Sequence, residues 1–368
     1  MSFDVERSEV LHARIRNEIA HGGPSPEIFE ALANELARFQ AASVPAYGRL
    51  CDARGVDAST DGPVDRLPAL PTDAFRYARI ACHPAELDVR VFRTSGTSRG
   101  TELRGAHPLR TLETYEAAAL AWGRPHLLAG SFARAIVLVP DPSAAPDSSL
   151  GFMVGLFTER LRLETTQALS HGGVDVESVT RAAHEARDAR EPAIVFATAF
   201  ALAHVLAAAS ARDLALPPGS RVMVTGGFKG RVREVPSAEL YEGASLAFGV
   251  PVTAVVGEYG MTELSSQLYE ARDGVEPLGT YRPPPWLRVS AADPVTLEPL
   301  PTGREGIARF VDLANVDSCA FVQTMDWITV DERGWVRLHG RAPGAEPRGC
   351  SLAIEVLFGG EGDRPQRA

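Results

Sequence analysis

The run Thr94-Ser95-Gly96-Thr97-Ser98-Arg99-Gly100 follows Val91-Phe92-Arg93, a short stretch with strand character. Glycines let a backbone bend until several N–H groups face one anion; hydroxyls add donors, and Arg99 adds positive charge. Such a loop suits the phosphates of a nucleoside triphosphate. It lacks the Gly-Lys-Ser or Gly-Lys-Thr ending of a Walker A loop. The same residues also spell Gly-x-Ser-x-Gly, which makes Ser98 a candidate nucleophile of a serine hydrolase or acyltransferase. A nucleophile elbow must turn straight into a helix. Here Thr101 to Pro108 intervenes, with Gly105 inside it, so the context favours phosphate binding over hydrolysis.

A second candidate loop is Val256-Gly257-Glu258-Tyr259-Gly260-Met261-Thr262-Glu263. A tyrosine ring can stack on a base, and a glutamate can hold Mg²⁺ beside phosphates. A third, Thr225-Gly226-Gly227-Phe228-Lys229-Gly230-Arg231, pairs two glycines, which permits a flat ring to approach the backbone closely.

These loops need elements to position them. The first ninety residues read as helical, with segments over Asp4–Ile19 and Tyr47–Arg54. Between them, Ser25 is placed as an N-cap, with Pro26 at the first helical position, and Ile28, Phe29, Leu32, Leu36 and Phe39 follow at helical spacing. From Val89 the texture changes. Candidate strands at 89–93, 135–139, 193–197, 221–225 and 252–256 alternate with helical stretches at 109–122, 150–161, 176–190, 200–210 and 237–248. That alternation predicts a largely parallel sheet flanked by helices, with ligand loops at the strand C-terminal ends. After Tyr281 short antiparallel strands are expected at 286–289, 306–312, 321–330 and 334–339, with a hairpin turn at Asp331-Glu332-Arg333-Gly334.

The 368 residues carry a formal net charge of −10 and no basic block, which argues against a nucleic-acid partner. The four cysteines, Cys51, Cys82, Cys319 and Cys350, form no CxxC pair, so neither a zinc site nor a disulfide scaffold is expected. The charged N-terminal segment does not read as a signal peptide, and a cytoplasmic location is expected. The uncharged stretch Ala193 to Ser210 reads as a buried strand running into a buried helix rather than a membrane span, with His204 expected as a core histidine.

The order of the motifs carries a family resemblance. Thr94 to Gly100, Gly226-Gly227, Glu258 to Glu263, Thr324-Met325-Asp326 and Gly340-Arg341 together resemble the adenylate-forming (AMP-binding) superfamily. Within it the chain resembles the LuxE acyl-protein synthetases most, and the phenylacetate–CoA ligases less. The resemblance runs from Leu67 to Leu352, and Arg348-Gly349-Cys350-Ser351-Leu352 is what points to LuxE, whose members carry an acylated cysteine near the C-terminus.

The resemblance implies roles. Thr94, Ser95, Gly96, Thr97, Ser98, Arg99 and Gly100 would hold the ATP phosphates. Gly226 and Gly227 would flank the adenine, and Tyr259, between Glu258 and Gly260, would stack on it. Thr262 would contact the α-phosphate and Glu263 would bind Mg²⁺. Asp326 would bond the ribose hydroxyls, Arg341 would lie near the ribose and the tail hinge, and Cys350 would accept the acyl group. An arginine beside a cysteine favours the thiolate, and Arg348 stands two residues before Cys350.

Three departures from the superfamily bear on the expected activity. Arg99-Gly100 stands where a lysine is usual, Pro343 stands where an acidic hinge is frequent, and only 18 residues follow Cys350. The expectation is an α/β fold like the N-terminal domain of adenylate-forming enzymes, with a small β-rich C-terminal part and no large C-terminal domain. Its parts would be a helical region 1–88, a core 89–340 and a mobile tail 341–368. The expected activity is ATP- and Mg²⁺-dependent activation of a fatty or other carboxylic acid and its loading onto Cys350. The acyl group would pass to an acyl-reductase partner of the LuxC type or to an acyl carrier. The alternative is an acyl- or aryl-CoA ligase.

Overall fold

The computed structural model describes residues 3–95, 104–170, 173–226 and 237–341. They form two compact units, the first from the described residues within 1–121, 261–266 and 283–368, the second from those within 122–260 and 267–282.

In the first unit, the helix Val5–Ala20 starts where the Asp4 carboxylate accepts the Arg7 N–H, 2.9 Å away. The helix Pro26–Ser43 starts at Ser25, whose hydroxyl accepts the Ile28 N–H. Phe29, Leu32, Leu36 and Phe39 are buried at helical spacing, while Ile28, off that stripe, faces outward. The buried Gln40 ends the stripe. Its amide donates to the Asn315 and Val316 carbonyls at 2.7 and 2.9 Å and accepts the Ala320 N–H at 2.9 Å. That helix is thereby tied to the connection between two strands of an antiparallel sheet.

The sheet runs Leu287–Ala292, Glu305–Asp312, Phe321–Val330, Val336–Arg341, each paired to the next, and Leu70–Pro71 adds in parallel to Phe321–Val330. Trp286, Phe310 and Phe321 fill its core, and Tyr47 from the helix Pro45–Ala53 stacks on Phe321 with ring centroids 5.4 Å apart. The turn expected at Asp331 to Gly334 is present, with Gly334 at φ +77°, a left-handed backbone that suits glycine.

The second unit holds the parallel ladder. Glu164–Gln167, Arg134–Leu138, Ala193–Thr198, Arg221–Thr225 and Val255–Tyr259 lie side by side in that order, and Leu268–Glu270 and Thr280–Arg282 continue it antiparallel. Ala193–Thr198 is almost wholly buried, as a strand covered on both faces must be. Val179, Ala183, Leu202, Val205, Leu240 and Phe248, from three helices, belong to the same apolar core as Val195, Val222 and Val255. Among the described residues no helix is long and apolar enough to cross a membrane.

Four expectations are corrected. The strand Arg90–Arg93 belongs to no parallel ladder among the described residues. It pairs antiparallel with Ala106–Leu109, a strand the sequence reading missed, and the following helix starts only at Glu113. Pro108 is tolerated there because a two-stranded ribbon leaves an edge without ladder donors. The strand expected at 252–256 lies at Val255–Tyr259, because Pro251 opens a 3₁₀ turn over Val252–Ala254. Glu258 and Tyr259 are therefore strand residues. Finally, His204 is exposed on the helix Ala199–Ala208, while Leu202 and Val205 face the core.

Candidate active site

In the first unit the expected phosphate loop springs from the ribbon Arg90–Arg93/Ala106–Leu109. Thr94 closes the base of this loop. Its N–H donates to the Gly105 carbonyl at 3.0 Å, and its hydroxyl accepts the Gly105 N–H at 2.9 Å. The Arg104 guanidinium donates to the Thr94 carbonyl at 2.5 Å. Ser95 is exposed beside it. Gly96, Thr97, Ser98, Arg99 and Gly100 lie outside the described residues. The described strands on either side are Arg90–Arg93 and Ala106–Leu109, paired antiparallel.

Glu263 meets the base of this loop. A methyl group at Gly105 would stand 3.5 Å from Glu263 Oε1, 3.1 Å from Thr94 Cγ2 and 3.6 Å from Phe75 Cβ. Only glycine leaves that space open. Glu263 is buried, and its carbonyl accepts the Asn315 amide at 2.8 Å. Its neighbour Thr262 is held likewise, its carbonyl 2.7 Å from His107 Nδ1. His107 is fully buried, and desolvation lowers its pKa to about 4, so the ring is neutral with its proton on Nδ1. Among the described residues no cluster of three or more His, Cys, Asp or Glu side chains gathers as a metal cage. A single carboxylate beside the loop expected to bind phosphates fits Mg²⁺, which keeps its waters and takes its remaining ligands from phosphates.

Asp326 and Arg341 sit directly opposite each other on neighbouring strands, with Arg341 Nε 3.7 Å from Asp326 Oδ1. Arg341 is largely exposed, so the ion pair contributes little to stability.

In the second unit, Gly226 follows the strand Arg221–Thr225 at φ +71°, a turn that glycine makes without strain. Glu258 is buried one strand away and accepts the Thr225 hydroxyl proton. Burial raises its pKa to about 7, against the opposing effect of that hydrogen bond. Next to it Gly257 has no room for a side chain: a Cβ would lie 2.6, 2.8 and 2.9 Å from Tyr241 Oη, Glu270 Oε2 and Tyr281 Oη. Glu270 accepts the N–H groups of Gly257 and Gly279, which fixes the strand end carrying Glu258 and Tyr259. Tyr259 is half-buried, its ring 6.0 Å from that of Tyr281, and Gly260 is exposed. Gly227 and Cys350 lie outside the described residues.

Sequence reasoning did not find His107, Gly105 or Asn315. His107 sits in a strand disguised by Pro108, and nothing local marks Asn315.

The acyl-protein synthetase model of the LuxE family matches residues 27–358. The chain belongs to the LuxE acyl-protein synthetase family. It is 33% identical over 86 residues to the long-chain-fatty-acid–luciferin-component ligase of Vibrio harveyi, a match over 22% of this chain and 23% of that ligase. Among solved structures it is similar to 2-hydroxyisobutyryl-CoA ligase bound to 2-HIB-AMP and CoA. That likeness has a TM-score of 0.64 at 15% identity and covers 86% of this LuxE-family chain and 69% of the other. ATP-bound MatB from Rhodopseudomonas palustris gives a TM-score of 0.50 at 18% identity, over 68% and 47% of the two chains. The fold is that of adenylate-forming ligases, and the family is one of ligases.

Proposed function

We propose that the protein activates a long-chain fatty acid with ATP and transfers the acyl group to Cys350, for delivery to an acyl-reductase partner. The observation that carries this reading is the Glu263 carboxylate beside Gly105 and Thr94, at the base of the Thr94–Gly100 loop. In a LuxE-family chain this arrangement fits the metal-assisted handling of a triphosphate. The substrate class is carried over from the activity named for the Vibrio harveyi relative.

A carboxylate is a poor electrophile. In the first half-reaction its oxygen attacks the ATP α-phosphorus, the bond to the β-phosphate oxygen breaks, and pyrophosphate leaves. The products are an acyl-adenylate and pyrophosphate. Donors of the loop from Thr94 to Gly100 would bind the β- and γ-phosphates, and Thr262 would contact the α-phosphate. Glu263 would hold Mg²⁺, which supplies charge neutralisation on the departing pyrophosphate. Tyr259, Gly226 and Gly227 would hold the adenine, with Asp326 and Arg341 near the ribose.

In the second half-reaction a thiolate attacks the acyl carbonyl, and AMP leaves with the bonding pair. Cys51, Cys82 and Cys319 are poor candidates for this thiolate. All three are buried, and burial pushes the Cys51 thiol to about 11 and the other two well above their ordinary range. Cys350, with Arg348 nearby in sequence, is the remaining thiol.

The test is acid-dependent ATP–pyrophosphate exchange across a panel of fatty and aromatic acids, followed by hydroxylamine-labile labelling of the protein. Exchange and labelling with long-chain acids support the reading. Exchange with aromatic acids and release of free acyl-CoA on adding CoA would replace it with a CoA ligase.

A further inference from the structure

Three buried polar atoms of the first unit belong to residues that line a common space. Among the described residues, His107 Nε2, Ser265 Oγ and Asn315 Oδ1 have no hydrogen-bond partner. Their residues are 0, 1 and 1% exposed and all line one cavity, which leaves about 10 Å³ for the centre of a water molecule. That is about the room one water needs. An unmet buried polar atom loses its hydrogen bonds to water without replacement, and here that penalty would fall three times over.

The chemistry of the three atoms specifies their ligand. His107 donates its only ring proton to the Thr262 carbonyl, so its Nε2 accepts only. Asn315 spends its amide protons on the carbonyls of Glu263 and Cys319, at 2.8 and 3.0 Å, so its Oδ1 accepts only. Ser265 brings a hydroxyl proton. A molecule that donates twice and accepts once satisfies all three, and water does so. The other polar side chains around the cavity have partners of their own, Thr111 with the Glu113 N–H and Ser318 with the Ile80 carbonyl among them. His12 lies between Thr114 and Asp317, and Arg110 pairs with Asp317 and Ser8.

We propose that His107, Ser265 and Asn315 bind one buried water, and that this water-centred frame positions Thr262 and Glu263. The frame grips two successive carbonyls of the segment that carries the metal carboxylate: His107 holds Thr262 and Asn315 holds Glu263. The water locks the two gripping side chains to each other. His107 is a positioning residue; nothing places it on substrate. The functional half of this inference rests on the reading given under Proposed function.

The site is tested first without turnover. A high-resolution crystal structure of the whole protein is expected to show one ordered water contacting the three atoms. Nitrogen NMR of labelled histidine is expected to show His107 neutral, protonated on Nδ1. A dry cavity, or a proton on Nε2, overturns the proposal.

The positioning role is tested by pyrophosphate exchange at varied Mg²⁺. Ser265→Ala and His107→Leu are expected to raise the half-saturating Mg²⁺ by about fivefold, the equivalent of one hydrogen bond. His107→Asn, whose amide can still donate to the Thr262 carbonyl, is expected to recover most of that loss. Equal behaviour of the Asn and Leu variants, or an unchanged Mg²⁺ requirement in all, rejects the role. Should His107→Leu fail to fold, Ser265→Ala and His107→Asn still decide it. A wild-type protein without exchange would count against the adenylation reading, while the water and tautomer would still be read directly.

Discussion

His107 Nδ1 lies 2.7 Å from the carbonyl oxygen of Thr262, a residue 155 positions further along the chain. The strand that follows the phosphate-loop sequence is thereby bonded to the segment that carries Glu263. Both partners belong to one unit. The two motifs with the most suggestive chemistry are held together by a neutral imidazole whose proton is fixed on the nitrogen that faces the carbonyl.

Glu263 is the carboxylate at the base of this loop. Glu263→Gln keeps the volume and removes the charge. Adenylation is expected to fall at least about tenfold, the equivalent of ~1.4 kcal/mol in the barrier, with unchanged circular dichroism. Acid-dependent pyrophosphate exchange measures this. A rate near that of the wild type would reject the metal role proposed for Glu263.

Gly105 tests the space between Thr94 and Glu263. A methyl group there would stand 3.1 Å from Thr94 Cγ2, tighter than ordinary packing, and 3.5 Å from Glu263 Oε1. Gly105→Ala is expected to raise the KM for ATP several-fold, on the order of 1 kcal/mol, as overpacking displaces one neighbour or the other. Exchange kinetics at varied ATP read the effect. An unaltered KM would mean that the space at Gly105 does not bear on the nucleotide.

Glu258 gives a signed prediction for stability. Burial raises its carboxyl from an ordinary 4.5 to about 7. Between those values the folded protein keeps a proton that the unfolded chain has released, so this group's contribution falls as pH rises from 4.5 to about 7 and then levels. Glu258→Gln removes the buried charge and retains an acceptor for the Thr225 hydroxyl. The variant is expected to match the wild type near pH 4 and to exceed it near pH 8 by up to about 3 kcal/mol. Urea unfolding across that range checks it. A difference that does not grow with pH would show that Glu258 titrates normally.

Much of the second unit was legible in the sequence because strand and helix patterns there do not compete. The strand Arg221–Thr225 and the helix Ser237–Phe248 stand where the pattern put them. Legibility failed where turn-formers sit inside ladders. Gly105 and Pro108 made Ala106–Leu109 read as a loop, and its partner Arg90–Arg93 was placed in the wrong kind of sheet. Pro251 moved a strand by starting it later, which changed Glu258 and Tyr259 from loop to ladder residues. His204 stands in an apolar run, so composition buried it, while helix geometry turns it outward. The motif residues near Thr94, Glu258 and Glu263 were legible by type. The residues that hold them, His107 and Asn315, were not, because their partnerships join distant parts of the chain and leave no local trace.

Cys350 separates the two half-reactions. Adenylation needs the nucleotide loops and a carboxylate pocket; thioester formation needs a thiol that reaches the mixed anhydride. Cys350→Ser is expected to keep acid-dependent pyrophosphate exchange within about twofold and to lose hydroxylamine-labile acylation, since a thiol is the better nucleophile near neutral pH. Acylation that persists in this variant and disappears in Cys51→Ala or Cys319→Ala would move the acceptor to a buried thiol, against the raised pKa of both. Loss of exchange together with acylation would place Cys350 in the adenylation step itself. Radiolabelled fatty acid, with exchange and labelling followed on the same preparations, distinguishes these outcomes.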